Sequence, residues 1–128
     1  MNNLISSSIL ALKEKKIPNP ELDIRILLKH SSHNDKDIIL SNMNIDDIDI
    51  NFFKSLLLKR LNNEPISKIV NKKYFWKDDF FVNFDVLDPR PETELIIEEA
   101  LNNVNRNKKL DILDIGTGSG CLAVSLAK

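Results

Sequence analysis

All three glycines of this chain fall in one pentapeptide, Gly116-Thr117-Gly118-Ser119-Gly120, and chemistry is most readily placed there. Glycine lets a backbone turn sharply and lets a ligand lie directly against it. The apolar run Leu110-Asp111-Ile112-Leu113-Asp114-Ile115 precedes the turn, and the small-residue run Cys121-Leu122-Ala123-Val124-Ser125-Leu126-Ala127 follows it. Strand, glycine turn and helix in that order make a nucleotide-type cofactor site. The spacing is G-x-G-x-G, with Cys at 121, so it is not a full dinucleotide fingerprint. It is not a phosphate loop either, because the Lys-Ser/Thr ending is missing. Asp114, two residues before the first glycine, narrows the ligand. A carboxylate there repels a pyrophosphate and suits a cationic ligand with an amino group. S-adenosylmethionine has a sulfonium and an α-amino group and no phosphate. A plain strand-to-helix turn of a parallel sheet accounts for the same glycines without any ligand.

A second candidate is Asp88-Pro89-Arg90-Pro91-Glu92-Thr93-Glu94. Two prolines fix this backbone and remove two donors, so polar side chains on it can be aimed at a pocket. Helix capping by Asp88 and Glu92, with Arg90 in a solvated ion pair, is the simpler account. Trp76, Phe75 and Phe80 either line a pocket or form core. His30 and His33 read as exposed helix ends, and Cys121 as a small packing residue. Lys54, Lys59, Arg60, Lys68, Lys72 and Lys73 form a basic cluster that reads as a solvated face rather than a site for RNA or an acidic partner. Two histidines and one cysteine cannot make an ordinary structural zinc site, so no metal is expected.

The elements that must position these residues follow from periodicity. Leu4, Ile5, Ile9, Leu10 and Leu12 recur at helical spacing ahead of a Lys-rich end. Asn19-Pro20-Glu21 starts a second helix, with a capping Asn and Pro at its first position, through Leu22, Ile24, Ile26, Leu27 and Leu28 to about His30. Asn34 or Asp35 opens a third, through Ile38, Ile39 and Leu40. Asp49 or Asn51 opens a fourth, with Phe52, Phe53, Leu56, Leu57 and Leu61 on its buried side. Pro65 begins a helical turn with Ile66 and Ile69. No glycine precedes Gly116, so turns must use Asn, Asp and Pro. Then Tyr74-Phe75-Trp76 and Phe80-Phe81-Val82 read as two strands joined by the polar turn Lys77-Asp78-Asp79. Leu95, Ile96, Ile97, Ala100 and Leu101 mark a helix opened by Glu92-Thr93-Glu94.

The 128 residues suit roughly one domain. With 42% hydrophobic and 29% charged residues the composition is globular, which excludes a disordered chain, and no apolar run is long enough for a membrane helix. Residues 1–73 carry a net +3 and residues 74–128 a net −4, too little to argue for nucleic acid by field strength. The N-terminus has no basic leader or cleavage site, and with one cysteine the chain is expected in the cytoplasm.

The run EPISKIVNKKYFWKDDFFVNFDVLDPRPETELIIEEAL followed by LDILDIGTGSGCLAVSLA resembles the glutamine methyltransferase family of peptide chain release factors (PrmC, formerly HemK). The resemblance covers about residues 20–128, and Asp23-Ile24-Arg25-Ile26-Leu27-Leu28 resembles a helix of that family's N-terminal domain. It implies a helical substrate-recognition bundle at 1–73 and a β-hairpin linker at 74–87. It implies a start, at 88–128, of a class I Rossmann-like domain that binds S-adenosylmethionine. The implied reaction is methylation of the glutamine side-chain amide in the Gly-Gly-Gln loop of release factors. By carry-over, Asp114, Gly116, Thr117, Gly118, Ser119 and Gly120 hold the cofactor's methionine part. Arg90, Thr93 and Glu94 line its side of the cleft, and Phe75 and Trp76 shape the wall or the domain junction. Several positions depart from the pattern. Asn63 and Asn71 stand where the family usually has Gly, a mild change because Asn tolerates left-handed backbone, and Asp88 stands where an apolar residue is usual. The family's Asn-Pro-Pro-Tyr motif and the acid that grips the ribose do not occur in the 128 residues. The chain alone is therefore expected to bind cofactor weakly or not at all and to lack catalysis. Two rivals are an adenine-specific nucleic-acid methyltransferase and a non-enzymatic docking module for a translation factor. A nicotinamide dehydrogenase is disfavoured by Asp114.

Overall fold

The computed structural model describes residues 2–33, 47–104 and 110–128. The chain divides into two compact units, Met1–Val70 and Asn71–Lys128. The first holds α1 (Asn2–Glu14), α2 (Pro20–His30), α3 (Ile50–Leu61) and the short α4 (Ile66–Ile69). The second holds β1 (Lys72–Phe75), β2 (Asp78–Phe81), α5 (Glu94–Asn103) and α6 (Cys121–Ala127). The helix expected over Ile38–Leu40 lies outside the described residues.

In the first unit α1 packs on α2 and α3, α2 on α3, and α3 on α4. The buried face of α1 is Ile5, Ser8 and Leu12, one residue per turn, so Leu10 faces solvent rather than the core. Ser8 is tolerated there because its hydroxyl donates to the Leu4 carbonyl at 2.7 Å. Ile24, Leu27 and Leu28 from α2 meet Phe53 and Leu56 from α3, with Ile17, Ile48 and Ile69 closing the cluster. Phe52, expected inside, is exposed, as is Leu22. The Lys13 ammonium bridges α1 to Glu21 at 2.6 Å, and that hydrogen bond holds the Glu21 carboxyl below its ordinary range.

Helix ends show how a unit without glycine terminates its helices. The Ile17 amide donates to the Leu12 carbonyl and the Lys16 amide to that of Lys13, with Lys16 at φ 57. The Glu64 amide donates to the Lys59 carbonyl and the Asn63 amide to that of Arg60, with Asn63 at φ 65. Both are Schellman closures with a left-handed residue in the place glycine usually takes. Asn71, the other position where the family pattern has Gly, is also left-handed at φ 51. Asn19 precedes Pro20 as expected, but at φ 53 it makes no side-chain cap. Asp49 does cap: its Oδ1 accepts from the Phe52 amide at 2.9 Å. Asp49→Ala should destabilise the first unit by about 1 kcal/mol. A urea midpoint followed by far-UV circular dichroism checks this.

In the second unit the strands pair antiparallel as Lys72↔Phe81, Lys73↔Phe80, Tyr74↔Asp79 and Phe75↔Asp78. The loop is therefore Trp76-Lys77, not the expected Lys77-Asp78-Asp79. The reason lies in which face each strand buries. A Lys77–Asp79 loop would put Phe75 and Phe81 on one face, because a one-residue slip reverses a strand. The observed register puts Phe75 and Phe80 together on the buried face, 6.1 Å apart and edge to face, and leaves Phe81 outside. A 3₁₀ turn at Pro91–Thr93 leads into α5, and α5 packs on α6. Phe75, Phe80, Ile97 and Cys121 form the core of this unit.

One expected element is not there. Residues 110–115 form no strand, and the hairpin is the only sheet among the described residues. Leu113 and Ile115 are more than four-fifths exposed. A parallel strand needs neighbours for its backbone groups and cover for both faces. Among the described residues nothing supplies either. No helix among them is long and apolar enough to cross a membrane.

Candidate functional site

The glycine loop keeps the shape its residues dictate even without the strand before it. Gly116, Gly118 and Gly120 have φ of 75°, 57° and 78°, the left-handed region where a side chain is strained. The Gly120 amide closes a turn by donating to the Thr117 carbonyl at 2.8 Å. Gly120 is then the residue before α6, whose Val124 amide donates to the Gly120 carbonyl at 2.9 Å. A Cβ placed on Gly116 meets nothing within 4 Å, so the backbone there is open to an approaching group. The glycines are thus required by conformation, not by crowding from the protein.

Asp114 sits at the mouth of this loop, half-buried, and its Oδ2 accepts from the Thr117 hydroxyl at 2.9 Å. That bond turns one carboxylate oxygen toward the loop and leaves the other for a cation. Open backbone beside a held carboxylate suits a small ligand that carries an ammonium group. Ser119 and Gly120 are half-buried at the loop's far side, where Cys121 enters the core of the unit.

The second candidate segment separates into different situations. Arg90 is exposed and Thr93 half-buried. Glu94, the first residue of α5, accepts from the Trp76 backbone amide through Oε1 at 2.7 Å. Asp114 and Glu94 are therefore each committed to a different pair, Asp114 with Thr117 and Glu94 with Trp76. Phe75 and Phe80 are core, and Trp76 packs against that core with the Lys77 ammonium 5.6 Å from its ring centroid. His30 and His33 are exposed, and the His30 ring lies 5.9 Å from that of Phe52.

Arg60 leaves the basic cluster in which its sequence neighbours place it. Its Nε donates to Asp23 Oδ2 at 2.6 Å and its Nη1 to the Glu64 carbonyl at 2.8 Å, with both charged side chains almost wholly buried. Nothing local announces a partner 37 positions away. The only cue is that Asp23 falls on the apolar face of its helix, beside Ile24 and Leu27.

Along the chain a helical unit is followed by a hairpin and then by a three-glycine loop with a carboxylate at its mouth. Residues 3–70 match the model of the PrmC N-terminal domain, and the chain belongs to that family. It is 36% identical over 126 residues to the release factor glutamine methyltransferase of Leptospira interrogans, covering 96% of this chain and 44% of that protein. It is 37% identical to the one of Mycoplasma mycoides, covering 99% of this chain and 46% of that protein. It is 38% identical to a bifunctional methyltransferase of Rickettsia typhi, covering 84% of this chain and 24% of that protein. The chain thus spans less than half the length of these relatives.

Proposed function

We propose that this chain is the N-terminal part of a cytoplasmic, S-adenosylmethionine-dependent methyltransferase. Its substrate would be the glutamine side-chain amide in the Gly-Gly-Gln loop of peptide chain release factors. The observation that carries the reading is the Asp114–Thr117 pair at the mouth of the glycine loop. A carboxylate there favours a cationic amino acid group over a phosphate. Relatives named release factor glutamine methyltransferase, alignable along nearly the whole chain, support the substrate.

In this reading Asp114 takes the ligand's α-amino group, and Thr117 fixes the carboxylate that does so. Gly116, Gly118 and Gly120 let the backbone approach, with Ser119 beside them, while Arg90 and Thr93 line the cofactor side of the cleft. S-adenosylmethionine, when bound, supplies an electrophilic methyl group on its sulfonium. An amide nitrogen is a poor nucleophile, so catalysis would come chiefly from positioning it against that methyl group. The helical unit would help hold the release factor, with 74–87 as linker and 88–128 as the start of the Rossmann-like domain. The Asn-Pro-Pro-Tyr motif that positions the amide in the family is not among these 128 residues. The chain alone is therefore inactive.

The test joins residues 1–128 to the complementary half of the Leptospira interrogans relative. The joined protein should transfer labelled methyl groups to release factor, and the chain alone should not. Transfer to adenine in DNA with release factor untouched would replace this reading with its rival.

A further inference from the structure

Among the described residues, five other than glycine have left-handed backbone: Lys16, Asn19, Asn63, Asn71 and Trp76. Three are Asn, which tolerates that region, and Lys16 closes a helix. Trp76 is neither. At φ 57 it is a bulky aromatic at the first central position of a two-residue hairpin loop, a place that glycine takes in type II′ turns. Such an outlier persists only where its surroundings over-determine it. Here the surroundings are specific. The amide of that loop position has no partner in the strand ladder. Glu94, 18 residues on, supplies one through Oε1 at 2.7 Å, in a part-buried setting. The indole then packs against the cluster that Phe75, Phe80, Ile97 and Cys121 form, and Cys121 is the residue directly after the glycine loop.

We propose that Glu94 is a positioning residue: its carboxylate latches the Trp76 amide and so sets where the indole sits against the core shared with the start of α6. The latch gives the acid of the Pro-Arg-Pro-Glu-Thr-Glu run a protein partner instead of a ligand. It ties the hairpin turn, the head of α5 and the residue after the glycine loop into one assembly. Only the naming of that loop as a cofactor site rests on the methyltransferase reading.

The chain has a single tryptophan, so its emission reports Trp76 alone. With Glu94→Ala, exchange of the Trp76 amide with solvent should quicken by about 10- to 100-fold, the scale of a lost hydrogen bond to a charged group. Its emission should shift to the red. Glu94→Gln keeps an acceptor at the same reach, so exchange should quicken by less than about tenfold and the emission should stay near that of the parent. Unchanged exchange and emission in Glu94→Ala would overturn the latch. If Glu94→Ala unfolds the second unit, Glu94→Gln decides: a retained emission supports the latch, and a collapse like that of the alanine variant refutes it. None of these readouts involves a cofactor, so the latch can fail while the methyltransferase reading stands, or the reverse.

Discussion

Arg60→Ala is expected to remove about 3–5 kcal/mol from the first unit, because it leaves the Asp23 carboxylate buried without its cation. A unit of about 70 residues has roughly 3–10 kcal/mol in total, so the loss takes a large share of it and the urea midpoint should fall steeply. The pair is not worth that much in itself. Its attraction is largely offset by the desolvation of both charges, and the loss comes from stranding one of them. Two further variants separate these effects. Asp23→Ala should cost less than Arg60→Ala, since Arg60 keeps its 2.8 Å bond to the Glu64 carbonyl and its long side chain can reach water. Replacing both residues together, Asp23→Leu with Arg60→Met, should recover most of the loss, a strongly non-additive result for two residues in contact. Urea titrations followed by far-UV circular dichroism read all three. A loss below about 1 kcal/mol in Arg60→Ala would show that water reaches Asp23 and that the pair behaves as a surface contact.

What could be read from the sequence divides by the distance over which each feature is decided. Asp49 capping Phe52 and Pro20 opening α2 depend on a few neighbouring residues and are visible in the order of side chains, whereas left-handed Asn63 and Asn71 follow from the family's glycines at those positions. Asn19 makes no side-chain cap and has left-handed backbone instead of the extended backbone usual for a cap, a conformation that the residue type permits but does not announce. The hairpin loop was misplaced by two polar residues. Asp78 and Asp79 look like a turn, yet Phe75 and Phe80 must share the buried face, and that requirement moves the turn onto Trp76-Lys77. The Asp23–Arg60 pair offers one cue, Asp23 on the apolar face of its helix, and nothing near either residue names the other. Residues 110–115 illustrate the opposite case. Their pattern is that of a strand buried on both faces, but a strand of a parallel sheet is made by its neighbours, and pattern alone does not supply them. The glycine loop held its shape regardless, since three left-handed glycines and the Asp114–Thr117 bond are local.

Asp114→Asn is the variant that asks what the loop was built to hold. Asn preserves the size of the side chain and an acceptor for the Thr117 hydroxyl, now 2.9 Å from Asp114 Oδ2, so the loop should keep its shape. What it removes is the charge. In the joined protein, affinity for S-adenosylmethionine should fall by about 10- to 100-fold, the scale of one charge-assisted hydrogen bond to an ammonium. Thr117→Ala, which keeps the charge but frees the carboxylate, should cost about two- to tenfold, the scale of one neutral hydrogen bond. The order of the two effects follows from the proposed roles, in which Thr117 orients the carboxylate and Asp114 binds the ligand. A ligand carrying a pyrophosphate predicts the reverse sign, because removing a negative charge from the mouth of the loop would relieve repulsion and tighten binding. Equilibrium dialysis with S-adenosylmethionine and with a nicotinamide dinucleotide, on the parent and on Asp114→Asn, separates the two chemistries. Weaker binding of the first supports a site for a cationic amino acid group. Tighter binding of the second would mean that the carboxylate guards a phosphate site, and the methyltransferase reading would lose the observation that carries it.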